Sequence, residues 1–247
     1  MPIFRNVKVT LAYDGSGFNG WQIQPGLRTV QGVLEDALGK TLGDIPRIVA
    51  SGRTDIGVHA LGQVLNIHIG STIPAYGLLR GLNSILPDDI AIRSVEDVAL
   101  EFHARYMAKS KIYVYSVDTF DTPSPFLRRY SLHVRHKLDI PAMAEAAGFM
   151  VGEHDFSSFM GAGSLVKSTK RMIIRSSVIE KGCRIYYVVE GSGFLRHMVR
   201  NIVGTLLLIG KGKLSPYDIK GILDAKDRSK AGPTAPPQGL YLVGVKY

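Results

Sequence analysis

Cysteine is nearly absent from this sequence: of its 247 residues, only Cys183 carries a thiol. No intrachain disulfide can form, and a reducing compartment is the expected setting. Long apolar runs are missing too. The richest, around Ile202 to Ile209, is too short to span a bilayer. The opening stretch MPIFRNVKVT alternates apolar and polar residues and has no signal-peptide hydrophobic region, so a cytoplasmic location is expected. The chain has no G-x-x-x-x-G-K-[ST] phosphate loop and no G-x-S-x-G nucleophile elbow. No cysteine pair or carboxylate cluster completes a tetrahedral metal set, so no metal is expected. Acidic residues are scarce, 21 against 30 Lys and Arg, for a formal charge of +9 and a pI near 9.6. Such an excess points to a polyanionic partner, because basic patches neutralise phosphates and release counterions. It is uneven: Arg105 to Lys137 holds seven basic residues against two acidic ones.

What is present is ample apolar material, 45% of the chain, in a length that suits one large domain or two packed ones. Val7, Val9, Leu11 and Tyr13 alternate with polar or small residues, which predicts a strand. Thr29 is placed to cap a helix carrying Val30, Val33, Leu34, Ala37, Leu38 and Leu42. A short strand, Ile48 to Ala50, enters the sequence SGRTDIGVH, and a strand with Leu65, Ile67 and Ile69 leaves it. Pro74 opens a second helix that stops at Pro87, and a strand near Ile90 to Val95 follows. Beyond it the pattern predicts strands at Ser110–Val117 and near Arg129–Arg135, then a helix from about Pro141. A hairpin turns at Glu180–Gly182, and a helix begins near Phe194. SPYD at 215–218 predicts a further helix, with a Ser cap and Pro in the first turn. A Pro-rich link, GPTAPPQG, precedes a last strand, Leu240 to Val245. The fold class expected is α+β, with helix-covered, mainly antiparallel sheets in two domains, 1–105 and 106–247.

Several patterns bear on chemistry. GSGFNG, Gly15 to Gly20, matches the dinucleotide fingerprint G-x-G-x-x-G, which needs a helix opening at its glycines. Here WQIQPG follows, and Pro25-Gly26 breaks such a helix, so a turn explains the glycines better. His133 and His136 lie three apart on a predicted strand, on opposite faces, and cannot share a metal. KSKIYVYSV puts Lys109, Lys111, Tyr113, Tyr115 and Val117 on one strand face. That face suits RNA, through phosphate contact and base stacking, and equally suits packing beneath a helix. In FLRHMVRNIVG, Arg196 and Arg200 lie off the apolar stripe, solvated or reaching inward to a carboxylate. Asp55 is either a turn residue or a carboxylate offered to a substrate from its loop.

The motifs YDGSGFNGWQ (13–22), SGRTDIGVHALGQV (51–64), FHARY (102–106), KIYVY (111–115), HDFSSF (154–159), FLRHMVRNIVG (194–204) and GLYLVGV (239–245) occur in an order that resembles the TruA-type tRNA pseudouridine synthases essentially end to end. The resemblance implies two RNP-like α/β domains forming an active-site cleft, no cofactor, and a homodimer that grips tRNA across both subunits. It implies conversion of uridine to pseudouridine at tRNA positions 38, 39 and 40 in the anticodon stem-loop. Asp55 falls on the family's essential aspartate, Tyr113 on the tyrosine that stacks on the target base, and Arg200 on the aspartate's basic partner. Leu240 matches an apolar residue lining the pocket, and Arg53 an arginine associated with flipping the nucleotide out. Phe102, His103 and Arg105 of FHARY, Lys111, and Lys167 with its neighbours match stretches that touch tRNA.

The chemistry that the resemblance implies fits the missing cofactor motifs. Isomerising uridine breaks N1–C1′, turns the uracil and rejoins it through C5, with no redox change. The base must first leave its stack, at about a few kcal/mol. A carboxylate beside a guanidinium favours its charged form. For Asp55, attack on the sugar, attack on the ring and removal of a sugar proton all stay open. A catalytically silent RNA-binding protein of the same fold is the alternative; it would need the basic aromatic face but not Asp55.

Overall fold

Alternation in the first strand carries through to its partners. In the computed structural model, which describes residues 4–163 and 166–247, β1 (Phe4–Tyr13) pairs antiparallel with β3 (His59–Gly70) on one side. On the other it pairs antiparallel with β4 (Ile90–Val98). Val7 lies opposite Ile67 and Val9 opposite Leu65, so the apolar residues of both strands share one face. The helices α1 (Val30–Leu42) and α2 (Ala75–Ile85) pack on each other, with Val30, Leu34, Leu38, Leu78 and Leu82 buried. Thr29 caps α1 as expected, its Oγ1 accepting from the Gly32 N–H. The two-residue β2 (Val49–Ala50) adds to β3.

On the opposite face of this sheet two asparagines are buried, Asn6 and Asn66. Asn66 Nδ2 donates to Asn6 Oδ1 at 2.9 Å, and Asn6 Nδ2 donates to the carbonyls of Ala99, Leu100 and Phe102. Ala104 N–H donates to Asn66 Oδ1, and Tyr247 OH to the Ala104 carbonyl. Two asparagines thus satisfy the backbone of residues 99–104 as it crosses the sheet, where unpaired groups would be costly. Residues 241–247 belong with 1–109 in this first compact unit. Their strand, β10 (Leu240–Lys246), runs parallel to β3 through Tyr241 opposite His59 and Leu242 opposite Ala60.

The second unit, 110–240, is built on β5 (Ser110–Asp118), β9 (Arg184–Gly191), β8 (Lys170–Lys181) and β7 (Gly152–Asp155). These pair antiparallel in that order. The predicted hairpin at Glu180–Gly182 is the β8–β9 turn. Tyr113, Tyr115 and Val117 face the same way as Val189, Tyr187 and Ile185 opposite them, and all are buried. With them are buried Met143, Ala146 and Ala147 of α3 (Ile140–Gly148) and Met198, Val199, Ile202, Val203 and Leu206 of α4 (Met198–Gly210). The last helix, α5 (Asp218–Ala225), brings the described α-helices to five. The architecture is mixed α and β with mainly antiparallel strand pairing.

Three local expectations shift. The strand predicted near 129–135 shortens to β6 (Leu132–His133), parallel to β5. Ahead of it the Leu127 carbonyl accepts from the N–H groups of Tyr130 and Ser131, which coils residues 127–131 into a turn instead. The helix expected near Phe194 begins at Met198, because His197 takes a left-handed conformation (φ 59°) that interrupts it. Arg196 therefore precedes the helix and donates to the Ala162 carbonyl. At 215–218, Ser215 and Asp218 satisfy each other's neighbourhood: Ser215 N–H donates to Asp218 Oδ2 and Tyr217 N–H to Ser215 Oγ. The helix itself starts at Asp218, one turn after the serine.

Candidate active site

The loop between β2 and β3 holds Asp55 by its backbone on both sides. At its start, Ser51 N–H donates to the Val64 carbonyl, and Ser51 Oγ donates to Gln63 Oε1 at 2.7 Å. Gln63 Nε2 donates to the Gly52 carbonyl at 3.0 Å from a side chain with 0% exposure. Next to the aspartate, Thr54 Oγ1 meets Tyr13 OH at 2.8 Å, and the Thr54 carbonyl accepts from Trp21 N–H. Beyond it, Val58 N–H donates to the Asp55 carbonyl across a turn whose third residue, Gly57, has φ 74°. Asp55 is half-buried, whereas Arg53 and Ile56 are exposed. A side chain offered from a loop this well anchored loses little freedom when it meets a substrate.

The GSGFNG segment is the wall behind this loop. Gly15 to Gly17 form one 3-10 turn capped by Asp14, and no α-helix opens until Val30. The dinucleotide reading therefore lacks the helix N-terminus it needs. The glycines serve close approach instead. A Cβ on Gly15 would lie 2.1 Å from the Val58 carbonyl oxygen, and one on Gly20 3.0 Å from that of Thr54. His59 adds a buried clamp: its Nδ1 accepts from Gly15 N–H at 3.1 Å, and its ring stacks on Tyr241 at 4.8 Å. Asp14 Oδ1 stands 3.1 Å from the same nitrogen; a proton on Nδ1 would be donated to that carboxylate and would end the bond from Gly15, so the two contacts are alternatives. Burial pushes the Tyr13 phenol up to about 12, although its hydrogen bond with Thr54 acts the other way.

In the second unit, Tyr113 is 8% exposed, its ring edge-on to Phe194 at 5.1 Å. Tyr115, two residues on, is fully buried, so the strand face shared by the two tyrosines packs in the core at Tyr115. Tyr115 OH donates to the Pro236 carbonyl at 2.7 Å. Burial raises its phenol pKa, and the nearby charge of Arg200 opposes that rise. Arg200 lies in the first turn of α4. Its Nε donates to the Ala235 carbonyl at 2.7 Å, while Ala235 N–H donates back to the Arg200 carbonyl. Asn201, with 0% exposure, ties the same region together. Its Oδ1 accepts from Thr234 Oγ1 at 2.6 Å and Arg228 Nη2 at 3.1 Å, and its Nδ2 donates to the Phe159 carbonyl. GPTAPPQG is thus strapped onto α4 and β5 before the buried Leu240 begins β10.

Of the residues matched to tRNA contacts, Phe102, His103 and Arg105 share one turn of the first unit. His103 Nδ1 accepts from the N–H groups of Arg105 and Tyr106, both at 3.2 Å, and its ring stacks on Tyr106 at 4.2 Å. Phe102 packs against Tyr247 at 4.9 Å, and Arg105 is exposed. Lys111, half-buried opposite Gly191, and the exposed Lys167 belong to the second unit. Ser164 and Leu165, near Lys167, lie outside the described residues. Gln63, His59 and Asn201 were not singled out from sequence, yet a signal exists for two of them. Gln63 and Asn201 are amides on elements rich in apolar residues, where a buried polar group persists only with partners. Among the described residues, no group of three or more His, Cys, Asp or Glu could hold a metal ion, and no helix is long and apolar enough to cross a membrane.

Comparison with known proteins finds one family along nearly the whole chain. The profile of the tRNA pseudouridine synthases matches residues 10–107 and 146–247. Those blocks contain Arg53, Asp55, the 102–105 turn, Lys167, Arg200 and Leu240; Lys111 and Tyr113 fall between them. The tRNA pseudouridine synthase A of Moorella thermoacetica is 49% identical, over 98% of this chain and 99% of its own. That of Ruminiclostridium cellulolyticum is 46% identical, over 98% and 100%. A crystal structure of a Cbf5-Nop10-Gar1 complex overlaps at 13% identity and a TM-score of 0.34, covering 81% of this chain and 54% of that one, too loosely to carry weight.

Proposed function

The chain belongs to the tRNA pseudouridine synthase family, an isomerase acting on tRNA, and we propose that its targets are uridines 38, 39 and 40 of the anticodon stem-loop, with Asp55 as the catalytic carboxylate. The observation that supports Asp55 in that role most directly is the build of its loop. Its backbone is hydrogen-bonded on both sides of the aspartate to buried partners, yet the side chain itself is not sealed in the core.

The reaction needs little else from the protein. The N1–C1′ bond breaks, uracil turns, and C5 bonds to C1′. The C5 proton is released and N1 gains one, so atoms and electrons balance without an oxidant. The bare chemistry therefore needs a positioned carboxylate, a cation and a surface that holds the extruded base. We assign the ring of Tyr113 to the base, Leu240 to the pocket wall, Arg200 to the aspartate and Arg53 to the space the nucleotide vacates. Phe102, His103, Arg105, Lys111 and Lys167 contact the tRNA, and the working particle is a cytoplasmic homodimer that grips one tRNA with both subunits.

The test is to map pseudouridine by carbodiimide modification and primer extension on tRNAs bearing uridine at single positions. Blocks at 38, 39 and 40, lost when each uridine is replaced by cytidine, are expected. Blocks only elsewhere would overturn the target assignment. Light scattering should give twice the 27.0 kDa chain mass, and a monomer that is fully active would remove the dimer.

A further inference from the structure

The connection from β5 to β6 presents the most exposed large apolar side chain described in the molecule: Phe126, 85% exposed. Its loop is not loose. At the root, Val134 N–H donates to the Asp118 carbonyl, His133 Nε2 donates to the Phe120 carbonyl at 2.8 Å, and the hydroxyls of Ser116 and Ser131 meet at 3.1 Å. At the tip, Leu127 N–H donates to the Ser124 carbonyl, and the Leu127 carbonyl accepts from Tyr130 and Ser131. Pro123 and Pro125 restrict the backbone further. Leu127 is half-buried while its neighbour Phe126 points to solvent. A turn with its own hydrogen bonds and prolines that still holds a phenyl ring outward has met its folding needs without that ring.

The surroundings indicate what the ring meets. From Thr119 to Lys137 the chain carries four basic residues (Arg128, Arg129, Arg135 and Lys137) against one acidic residue, Asp121. Arg128 is exposed two residues from Phe126. An isologous contact with a second copy through this turn would set those same cations against each other. Single-stranded RNA offers what fits both groups, a base with a π-face beside a phosphate.

We propose that the 123–130 turn is an additional tRNA contact, in which an unpaired base stacks on Phe126 and the adjoining phosphate meets Arg128. It rests on the tRNA reading above and extends it to a surface with no assigned role.

The test compares Phe126→Ala, Phe126→Trp and Arg128→Ala with the wild-type chain, by filter binding of full-length tRNA over a range of salt. Phe126→Ala should weaken binding about fivefold to a hundredfold, as loss of one stacked base does, without changing the salt slope. Phe126→Trp should bind as tightly as wild type. Arg128→Ala should flatten the slope by nearly one counterion. Wild-type binding by Phe126→Ala overturns the proposal. So does a fall in particle mass for that variant, which would give the turn to a second copy. Pseudouridine formation by the wild-type chain is measured on the same tRNA. If none forms, the functional reading itself fails; if it forms and Phe126→Ala binds normally, only this contact fails.

Discussion

Replacing Gly20 with alanine separates the cost of a backbone conformation from the cost of crowding the Asp55 loop. Gly20 has φ 84°, and an added Cβ would stand 3.0 Å from the Thr54 carbonyl oxygen and 3.3 Å from Asp55 C and Ile56 N. Gly43, which ends α1, has φ 85° with nothing within 4 Å of an added Cβ. Left-handed backbone costs a non-glycine residue about 1–2 kcal/mol, partly offset by about 0.4–1 kcal/mol from a stiffer unfolded chain. Gly43→Ala should therefore lose about 1 kcal/mol, or ~2–4 °C in Tm, and keep its turnover. Gly20→Ala carries the same backbone cost and must also move the loop by a few tenths of an ångström. Since misplacement of a reacting group by 1 Å costs about a hundredfold, this smaller shift should lower kcat about tenfold. Thermal melting and single-turnover pseudouridine formation report the two effects separately. A Gly20→Ala enzyme that melts like Gly43→Ala and turns over like wild type would refute the idea that this wall sets the position of Asp55.

Other expectations follow from the anchors. The Tyr13 phenol is raised from 10.0 to about 12, so the folded state favours its protonated form; that stabilisation, about 3 kcal/mol, is complete below pH 10 and lost as pH rises toward 12. Alkaline unfolding should therefore be shallower over that interval in Tyr13→Phe, measured by circular dichroism, and an unchanged profile would contradict the assignment. Asn201→Ala leaves Thr234, Arg228 and the Phe159 carbonyl short of a partner and should cost about 2–4 kcal/mol in urea unfolding; a loss below about 1 kcal/mol would mean that the strap holds without it. Tyr113→Phe should keep tRNA binding and Tyr113→Ala should lose productive positioning of the base; equal turnover by the tyrosine and alanine enzymes would remove Tyr113 from the site.

Much of the scaffold was legible because it follows local rules. The alternation of Val7, Val9 and Leu11, the Thr29 cap, the Pro74 helix start and the Glu180–Gly182 hairpin need only near neighbours to form. The candidate catalytic loop was legible as a short polar run between strands, with glycines on either side of the aspartate. What sequence did not reveal depends on distant partners. Nothing local shows that Gly15 and Gly20 are glycines for the sake of Val58 and Thr54, or that Asn201 faces Thr234 and Arg228. The left-handed turn at His197 interrupts a helical apolar pattern, and periodicity cannot register a single residue's φ. The 127–131 turn has strand-like composition, but carbonyl bonding of Leu127 to Tyr130 and Ser131 coils it.

The most direct measurement of the central claim is tritium release from tRNA carrying [5-³H]uridine, run with the wild-type chain and with Asp55→Asn. Each uridine converted must shed its C5 hydrogen, so release counts isomerisation itself. The substitution keeps the size of the side chain and the backbone bonds around it, and removes only the carboxylate's charge and basicity. The wild-type chain should release tritium, whereas Asp55→Asn should release none while still binding tRNA. An Asp55→Asn enzyme that keeps a substantial fraction of wild-type release would contradict the assignment of Asp55 as the catalyst.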